Sequence, residues 1–204
     1  LSEVVEAVRE RNPRSLLLGL GHSMGGSCLV KFASELGKGC PLCAVATVSS
    51  PFALSAHTAR LESSTSWRFL NMVTASTARL SLLKLWLSDP PSRAFLRPVR
   101  WWDVLRATSL RELEAATVCP MNGFADPEDY YAFATADLGL LEVPLLAVHS
   151  KDDPVIGVAE LPLRTLAAHP HVSLVLTERG GHLGYYGSDE GARMVDGFVG
   201  SFLE

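Results

Sequence analysis

The sequence predicts an α/β fold in which helices cover a mostly parallel sheet on both faces. The chain has 204 residues, 48% hydrophobic and 20% charged, which suits one globular domain with a sizeable core. Stretches with helical periodicity separate short apolar runs, and strands that alternate with helices form a parallel sheet. The apolar runs of strand length lie at residues 15–20, 44–48, 144–149 and 172–176.

The first half of the alternation begins with an amphipathic helix. Leu and Val side chains recur at helical spacing over residues 1–8, with charged residues between them, and the pattern ends before Pro13. A strand is predicted at residues 15–20, followed by a sharp turn. The next helix is expected at residues 27–36, closed by Gly37.

Residues 51–117 differ in character from the rest of the chain. They have a helical pattern that Pro90, Pro91 and Pro98 interrupt, and they contain all four tryptophans. Residues 52–116 hold nine Arg and Lys against five Asp and Glu, although the whole chain has a net charge of −4. We expect a single domain, residues 1–204, with a helical cap at about 51–117 inserted after the second strand, over the carboxyl edge of the sheet.

The alternation returns after this insertion. A fully apolar strand is predicted at residues 144–149, a helix at 161–168, a strand at 172–176 and a terminal amphipathic helix at 190–202.

Composition argues against several classes of protein. The net charge of −4 does not favour nucleic-acid binding. No run of about 20 apolar residues predicts a transmembrane helix. The C-x-x-C motif at residues 40–43 has neither the second cysteine pair of a zinc site nor the following helix of a redox motif. We interpret the four cysteines as buried or half-buried thiols, a usage that suits a reducing compartment.

A six-residue turn, GHSMGG at residues 21–26, lies between the first strand and the second helix. A serine on such a strand–turn–helix junction has a strained backbone, and its hydroxyl projects at the carboxyl edge of the sheet. Small residues two before and two after the serine, Gly21 and Gly25, would let strand and helix approach closely. Ser23 is therefore the candidate nucleophile.

A second interpretation of the same glycines is a dinucleotide-binding loop. Such a loop needs an acidic residue near the end of the next strand to hold a ribose. The strand at residues 44–48 ends instead in Ser-Ser-Pro. The nucleotide interpretation is therefore disfavoured.

Two later loops provide the partners that a catalytic serine needs. An Asp-Asp-Pro turn, residues 152–154, follows the third strand, and a Gly-Gly-His-Leu-Gly loop, residues 180–184, follows the fourth. The carboxyl ends of parallel strands lie at one edge of the sheet, so we expect Ser23, Asp153 and His182 to meet there. Asp153 is preferred to Asp152 because it immediately precedes the proline. The alternatives are a plain turn for the aspartates and a solvated loop residue for the histidine.

These motifs resemble the α/β-hydrolase fold. The string NGFADPEDYY at residues 122–131 narrows the resemblance to the AB-hydrolase branch, which contains lipid-handling abhydrolase-domain proteins and medium-chain fatty-acid ethyl ester synthase/esterases. Apart from the variable cap, the similarity runs from about residue 15 to about 200.

The resemblance implies roles for individual residues. Ser23 would be the nucleophile, Asp153 the acid, His182 the base, and the N–H of Met24 one half of the oxyanion hole. It implies hydrolysis of carboxylic esters, with acyl lipids or medium-chain esters as substrates, or acyl transfer to an alcohol. No metal or organic cofactor is implied.

The chain departs from the family in its N-terminal part. Family members carry further strands and a loop that supplies the second oxyanion donor, so we expect a truncated chain with an unpaired apolar edge at residues 16–18. This departure motivates a second hypothesis, an inactive hydrolase-like module that serves in binding. Tryptophans with arginines in the cap also suggest peripheral membrane contact, and the alternative is that they line an acyl pocket.

Overall fold

The computed structural model describes residues 1–185, 196, 197 and 199–202. Its sheet has four parallel strands whose spatial order, β1-β2-β3-β4, is also their order along the chain. The predicted parallel sheet flanked by helices is confirmed. The strands are β1 (Leu18–His22), β2 (Ala44–Val48), β3 (Leu145–Ser150) and β4 (Val172–Thr177).

Helices connect the strands and also form a separate group in the middle of the chain. In chain order they are α1 (Ser2–Arg11), α2 (Met24–Leu36), α3 (Leu54–Glu62), α4 (Thr65–Ser88), α5 (Pro90–Phe95), α6 (Trp101–Arg106), α7 (Leu110–Ala116), α8 (Val118–Asn122), α9 (Pro127–Ala134) and α10 (Leu163–Ala168). Part of the terminal helix predicted at 190–202 lies outside the described residues. Within it, residues 196, 197 and 199–202 are helical.

Two predicted boundaries around the first turn are wrong. β1 begins at Leu18 rather than residue 15, because the residues after α1 form a turn in which Arg9 donates to the carbonyl of Ser15 at 3.1 Å. α2 begins at Met24 rather than residue 27. Glycines weaken a helix prediction, but Gly25 and Gly26 both lie in the first turn of α2, where Gly26 packs closely against Gly21 of β1.

The chain divides into two compact units. One consists of Leu1–Ala53 and Ala134–Glu204 and contains the sheet, and the other is Leu54–Phe133. The division into one domain with a cap at about 51–117 stays a prediction.

The two central strands form the middle of the sheet unit's core. Every residue of β2 and β3 is buried, as expected for parallel strands covered on both faces. β1 lies at one edge, where Gly19 and Gly21 are buried but Leu18 and Leu20 are exposed.

Among the described strands β1 pairs only with β2, so the unpaired edge predicted for the first strand is present. Leu16 is 76% exposed and Leu18 is 40% exposed. The side chain of Leu17, in contrast, is buried in the core with Val5 of α1. The reason is that alternate residues of an extended chain point to opposite sides.

The second unit is helical throughout its regular structure, as the sequence predicts for most of it. α4 spans 24 residues, and its first turn is capped by Ser64, whose hydroxyl accepts the N–H of Trp67 at 3.4 Å. The helical pattern is interrupted at Pro90 as predicted: α4 ends at Ser88, and Pro90 begins α5, a position where its missing N–H costs nothing. None of the described helices is both long enough and apolar enough to span a membrane.

Candidate active site

Ser23 forms the junction between β1 and α2 and has an unusual backbone conformation. Its φ of 50° and ψ of −128° are rare for a residue with a side chain. The N–H of Ser23 donates to the carbonyl of Val48 at 2.9 Å, which ties the junction to the end of β2. Strain of this kind costs about 1–3 kcal/mol and is concentrated at functional sites.

Close contact between β1 and α2 explains why glycines surround this serine. A Cβ on Gly21 would lie 2.5 Å from the backbone of Gly26, and a Cβ on Gly26 would lie 1.9 Å from Oγ of Ser50. A Cβ on Gly25 would meet nothing within 4 Å. The sequence interpretation is therefore confirmed for Gly21 and wrong for Gly25, because Gly26 is the helix residue that faces the strand.

His182 lies between Ser23 and Asp153. Its Nε2 is 3.1 Å from Oγ of Ser23, while its Nδ1 is 2.9 Å from Oδ2 and 3.2 Å from Oδ1 of Asp153. An ionised carboxylate only accepts hydrogen bonds, so Nδ1 donates to Asp153. Nε2 of the neutral ring is then left as an acceptor for the Ser23 hydroxyl.

Asp153 is held from two sides. Its side chain is buried, and Oδ1 accepts the N–H groups of Val155 at 2.7 Å and Ile156 at 2.9 Å. Asp153 therefore faces His182 and also caps the turn that begins at Pro154. The two interpretations of this residue, a turn aspartate and a candidate acid, are both compatible with its contacts. Asp152 is exposed and faces backbone N–H groups instead.

The N–H of Met24 is the first of α2. Within the described residues it has no protein acceptor. The N-terminus of a helix carries partial positive charge and favours an anion. Met24 therefore keeps its predicted candidacy as one oxyanion donor.

His149 is a buried residue near this site that the sequence motifs did not single out. It is 0% exposed, and among the described residues neither ring nitrogen has a hydrogen-bond partner. Burial lowers its pKa to about 4; the Asp153 carboxylate opposes this shift, and the nearby His182 adds to it. Its ring packs against Phe52 with centroids 5.7 Å apart. The one sequence feature that could have indicated its closeness to the site was its position at the carboxyl end of a predicted parallel strand.

The expectation that all four cysteines are at least half-buried is wrong for Cys28 and Cys43, which are exposed. In the part of the chain that the structure describes, no three His, Cys, Asp or Glu side chains come together as they would around a metal ion.

Comparison with known proteins gives a family match along nearly the whole chain. Residues 1–196 match the model described as the alpha/beta hydrolase family. The chain is 30% identical to Phospholipase ABHD3 of Homo sapiens over 187 residues, covering 91% of this chain and 44% of that protein. It is 27% identical to Medium-chain fatty acid ethyl ester synthase/esterase 2 of Saccharomyces cerevisiae over 209 residues, covering 93% and 46% respectively.

A solved structure has the same fold. Alpha/beta hydrolase domain-containing protein 10 from mouse superposes with a TM-score of 0.52 at 10% identity, covering 98% of this chain and 67% of that one. The chain spans less than half the length of the two curated relatives named above.

Proposed function

The chain belongs to the alpha/beta hydrolase family, and on this premise we propose that it is a serine hydrolase that cleaves carboxylic esters of apolar acyl groups. The observation that carries the proposal is the hydrogen-bonded series from Ser23 through His182 to Asp153. Each of the three follows a different parallel strand, at the carboxyl edge where such sites are built.

The proposed reaction has two stages. Ser23 Oγ attacks the ester carbonyl while Nε2 of His182, at 3.1 Å, takes the hydroxyl proton. His182 then gives this proton to the leaving alcohol, and an acyl-serine remains. Water, or in a transfer reaction an alcohol, then attacks the acyl-serine while His182 takes its proton. The bond between the acyl carbon and Ser23 Oγ breaks, His182 returns the proton to Oγ, and the free acid or the new ester leaves. Asp153 orients the ring throughout, and the N–H of Met24 stabilises the negative oxygen of each tetrahedral intermediate.

The proposed substrate class rests on what the relatives are named for. One is named as a phospholipase and another as a medium-chain fatty acid ethyl ester synthase/esterase. Both names refer to esters of fatty acids. We therefore propose acyl lipids or medium-chain esters, with hydrolysis and acyl transfer as the two outcomes of one acyl-serine intermediate.

We also propose that the helical unit contacts a membrane surface from which such substrates come. Phe69, Leu80 and Leu87 of α4 are 64%, 66% and 63% exposed, and their spacing places them on one helix face. Arginine side chains stack on tryptophans in the same unit, with Arg106 over Trp102 at 4.4 Å. Apolar residues together with amphipathic rings and cations suit an anionic lipid surface.

Labelling with a fluorophosphonate probe tests the reaction. We expect the unchanged chain to be labelled and Ser23→Ala to be unlabelled, because the probe reacts with an activated serine. Turnover of a p-nitrophenyl ester should fall by about four orders of magnitude or more. Ser15→Ala, which removes an exposed hydroxyl, is the matched control and should retain both signals.

Two results would argue against the proposal. Equal labelling of the unchanged chain and Ser23→Ala would remove Ser23 as nucleophile. A folded chain with neither labelling nor turnover would favour the second hypothesis, a hydrolase-like binding module.

A further inference from the structure

Asp152 and Asp153 are neighbours in the chain, but their carboxylates face different partners. Asp153 is buried and faces the imidazole of His182. Asp152 is exposed, and its Oδ1 accepts the N–H of Gly180 at 2.9 Å and the N–H of Gly181 at 2.8 Å. The hydroxyl of Ser150 donates to the same oxygen. Three donors thus converge on one carboxylate oxygen of Asp152.

The two glycines that donate to Asp152 immediately precede His182. Successive backbone N–H groups that converge on one oxygen form an anion-binding nest, and here the anion belongs to the protein itself. Gly181 has a φ of 61°, a conformation that favours glycine. The carbonyl of Gly180 makes a separate contact, because it accepts the N–H of Tyr185 at 2.6 Å.

The start of the loop that carries His182 is held by contacts with β3, independently of Asp152. The N–H of Lys151 donates to the carbonyl of Thr177 at 2.8 Å, and the hydroxyl of Thr177 donates to the carbonyl of His149 at 3.2 Å. Lys151 and Glu178 also form an ion pair. None of these contacts involves residue 180 or 181. The carboxylate of Asp152 therefore connects the end of β3 to the two residues that lead directly into His182.

We propose that Asp152 is a positioning residue whose carboxylate holds residues 180–181 so that Nε2 of His182 stays in reach of Oγ of Ser23. Asp153 sets the direction of the imidazole ring, and Asp152 sets the path of the backbone that carries it. The inference rests on the proposed function, because His182 needs this placement only if it acts on Ser23. A displacement of about 1 Å in such a group can cost a reaction about 100-fold.

The state of the Asp152 carboxylate agrees with this role. The Ser150 hydroxyl lowers the pKa of Asp152, and the N–H groups of Gly181 and Gly180 lower it further. The side chain is therefore an anionic acceptor under neutral conditions. In Asp152→Asn, an amide oxygen takes a similar position without the negative charge. This variant therefore distinguishes the effect of the hydrogen bonds from the effect of the charge.

The kinetic test compares Asp152→Ala and Asp152→Asn with the unchanged chain, using turnover of a p-nitrophenyl ester. We expect Asp152→Ala to lower kcat about 10- to 100-fold with KM changed by less than about threefold. Asp152→Asn should recover most of kcat, because its amide oxygen can still accept from both glycines. Equal losses in the two variants, or no loss in either, would overturn the proposal.

Asp137 offers a matched control. It is another exposed aspartate whose carboxylate accepts a glycine N–H, that of Gly139, at 2.9 Å. Asp137→Ala removes the same kind of bond from a turn before β3, so kcat should be unchanged. A loss of kcat as large as that of Asp152→Ala would show a general effect of losing a turn and would overturn the specific role.

A second readout does not depend on activity. Amide hydrogen exchange at residues 180–181 and tryptic cleavage after Arg179 report how firmly the segment is held. Both should be faster in Asp152→Ala than in Asp152→Asn or Asp137→Ala. If the unchanged chain shows no Ser23-dependent turnover, the proposed function fails, yet faster exchange would still support the anchoring of the loop. Unchanged exchange and cleavage in Asp152→Ala would overturn the anchoring itself.

Discussion

His149 shows how a single buried residue links stability to pH. Its ring is fully buried, and its pKa is lowered to about 4 from an ordinary value of 6.5. The native protein therefore keeps this imidazole neutral at a pH at which the unfolded chain binds a proton. The stability that depends on a neutral His149 is complete above about pH 6.5 and is lost as the pH falls towards 4.

This linkage gives a prediction for His149→Leu, which cannot titrate. Between pH 7 and pH 5, we expect the free energy of unfolding to fall about 2 kcal/mol more in the unchanged chain than in His149→Leu. Urea unfolding followed by far-ultraviolet circular dichroism at the two pH values measures the difference. An identical pH dependence in the two proteins would contradict the prediction.

At the scale of elements, the contact between β1 and α2 decides which glycines are replaceable. A Cβ at Gly21 would lie 2.5 Å from backbone atoms of Gly26, and backbone cannot rotate away as a side chain can. A Cβ at Gly25, in the first turn of the same helix, meets open space. The same substitution should thus have opposite effects at positions four residues apart.

We expect Gly21→Ala to lower the free energy of unfolding by about 1–3 kcal/mol through overpacking. It should also reduce Ser23-dependent turnover, because the strand that precedes the serine must shift. Gly25→Ala should be neutral or stabilising by up to about 1 kcal/mol, since alanine favours helix and restricts the unfolded chain. Urea unfolding of the two variants tests this, and equal destabilisation would show that the close approach is absent.

At the scale of the whole molecule, charge and exposed apolar area are distributed unevenly. Residues 52–116 carry an excess of basic side chains within a chain of net charge −4. The same segment includes α4 with its exposed apolar face. We therefore expect residues 52–116 to be attracted to an anionic surface and the rest of the chain to be repelled by it.

Vesicle flotation tests the proposed membrane contact. The chain should bind vesicles of phosphatidylcholine with phosphatidylserine better than vesicles of phosphatidylcholine alone, and added salt should weaken the binding. Arg97→Gln and Arg106→Gln should each weaken it about fivefold, from about 1 kcal/mol per basic residue. Arg164→Gln, an exposed arginine of the sheet unit, is the control and should have a smaller effect. Failure to bind anionic vesicles at low salt would refute the proposed contact.

Much of the fold could be predicted because its signals are local. β2 was predicted at the residues where it is found, since a short apolar run with turn residues on both sides has few other structures open to it. The boundaries of β1 and α2 were missed because both depend on a contact between them. Glycine locally disfavours a helix, yet Gly26 lies in the first turn of α2, where the helix packs closely against β1.

Local patterns in the sequence were enough to predict the alternation of strands and helices, and hence which loops share one edge of the sheet. From that edge alone, Ser23, Asp153 and His182 could be named as neighbours, although their catalytic roles remain a prediction. The sequence preferred Asp153 to Asp152 only because a proline follows it, whereas the tertiary structure shows that the two aspartates differ in burial and in the groups they face. The tertiary structure also decided that His149 is sealed from solvent and that Gly26 rather than Gly25 is constrained. Such outcomes depend on distances between residues far apart in the chain, which no local pattern encodes.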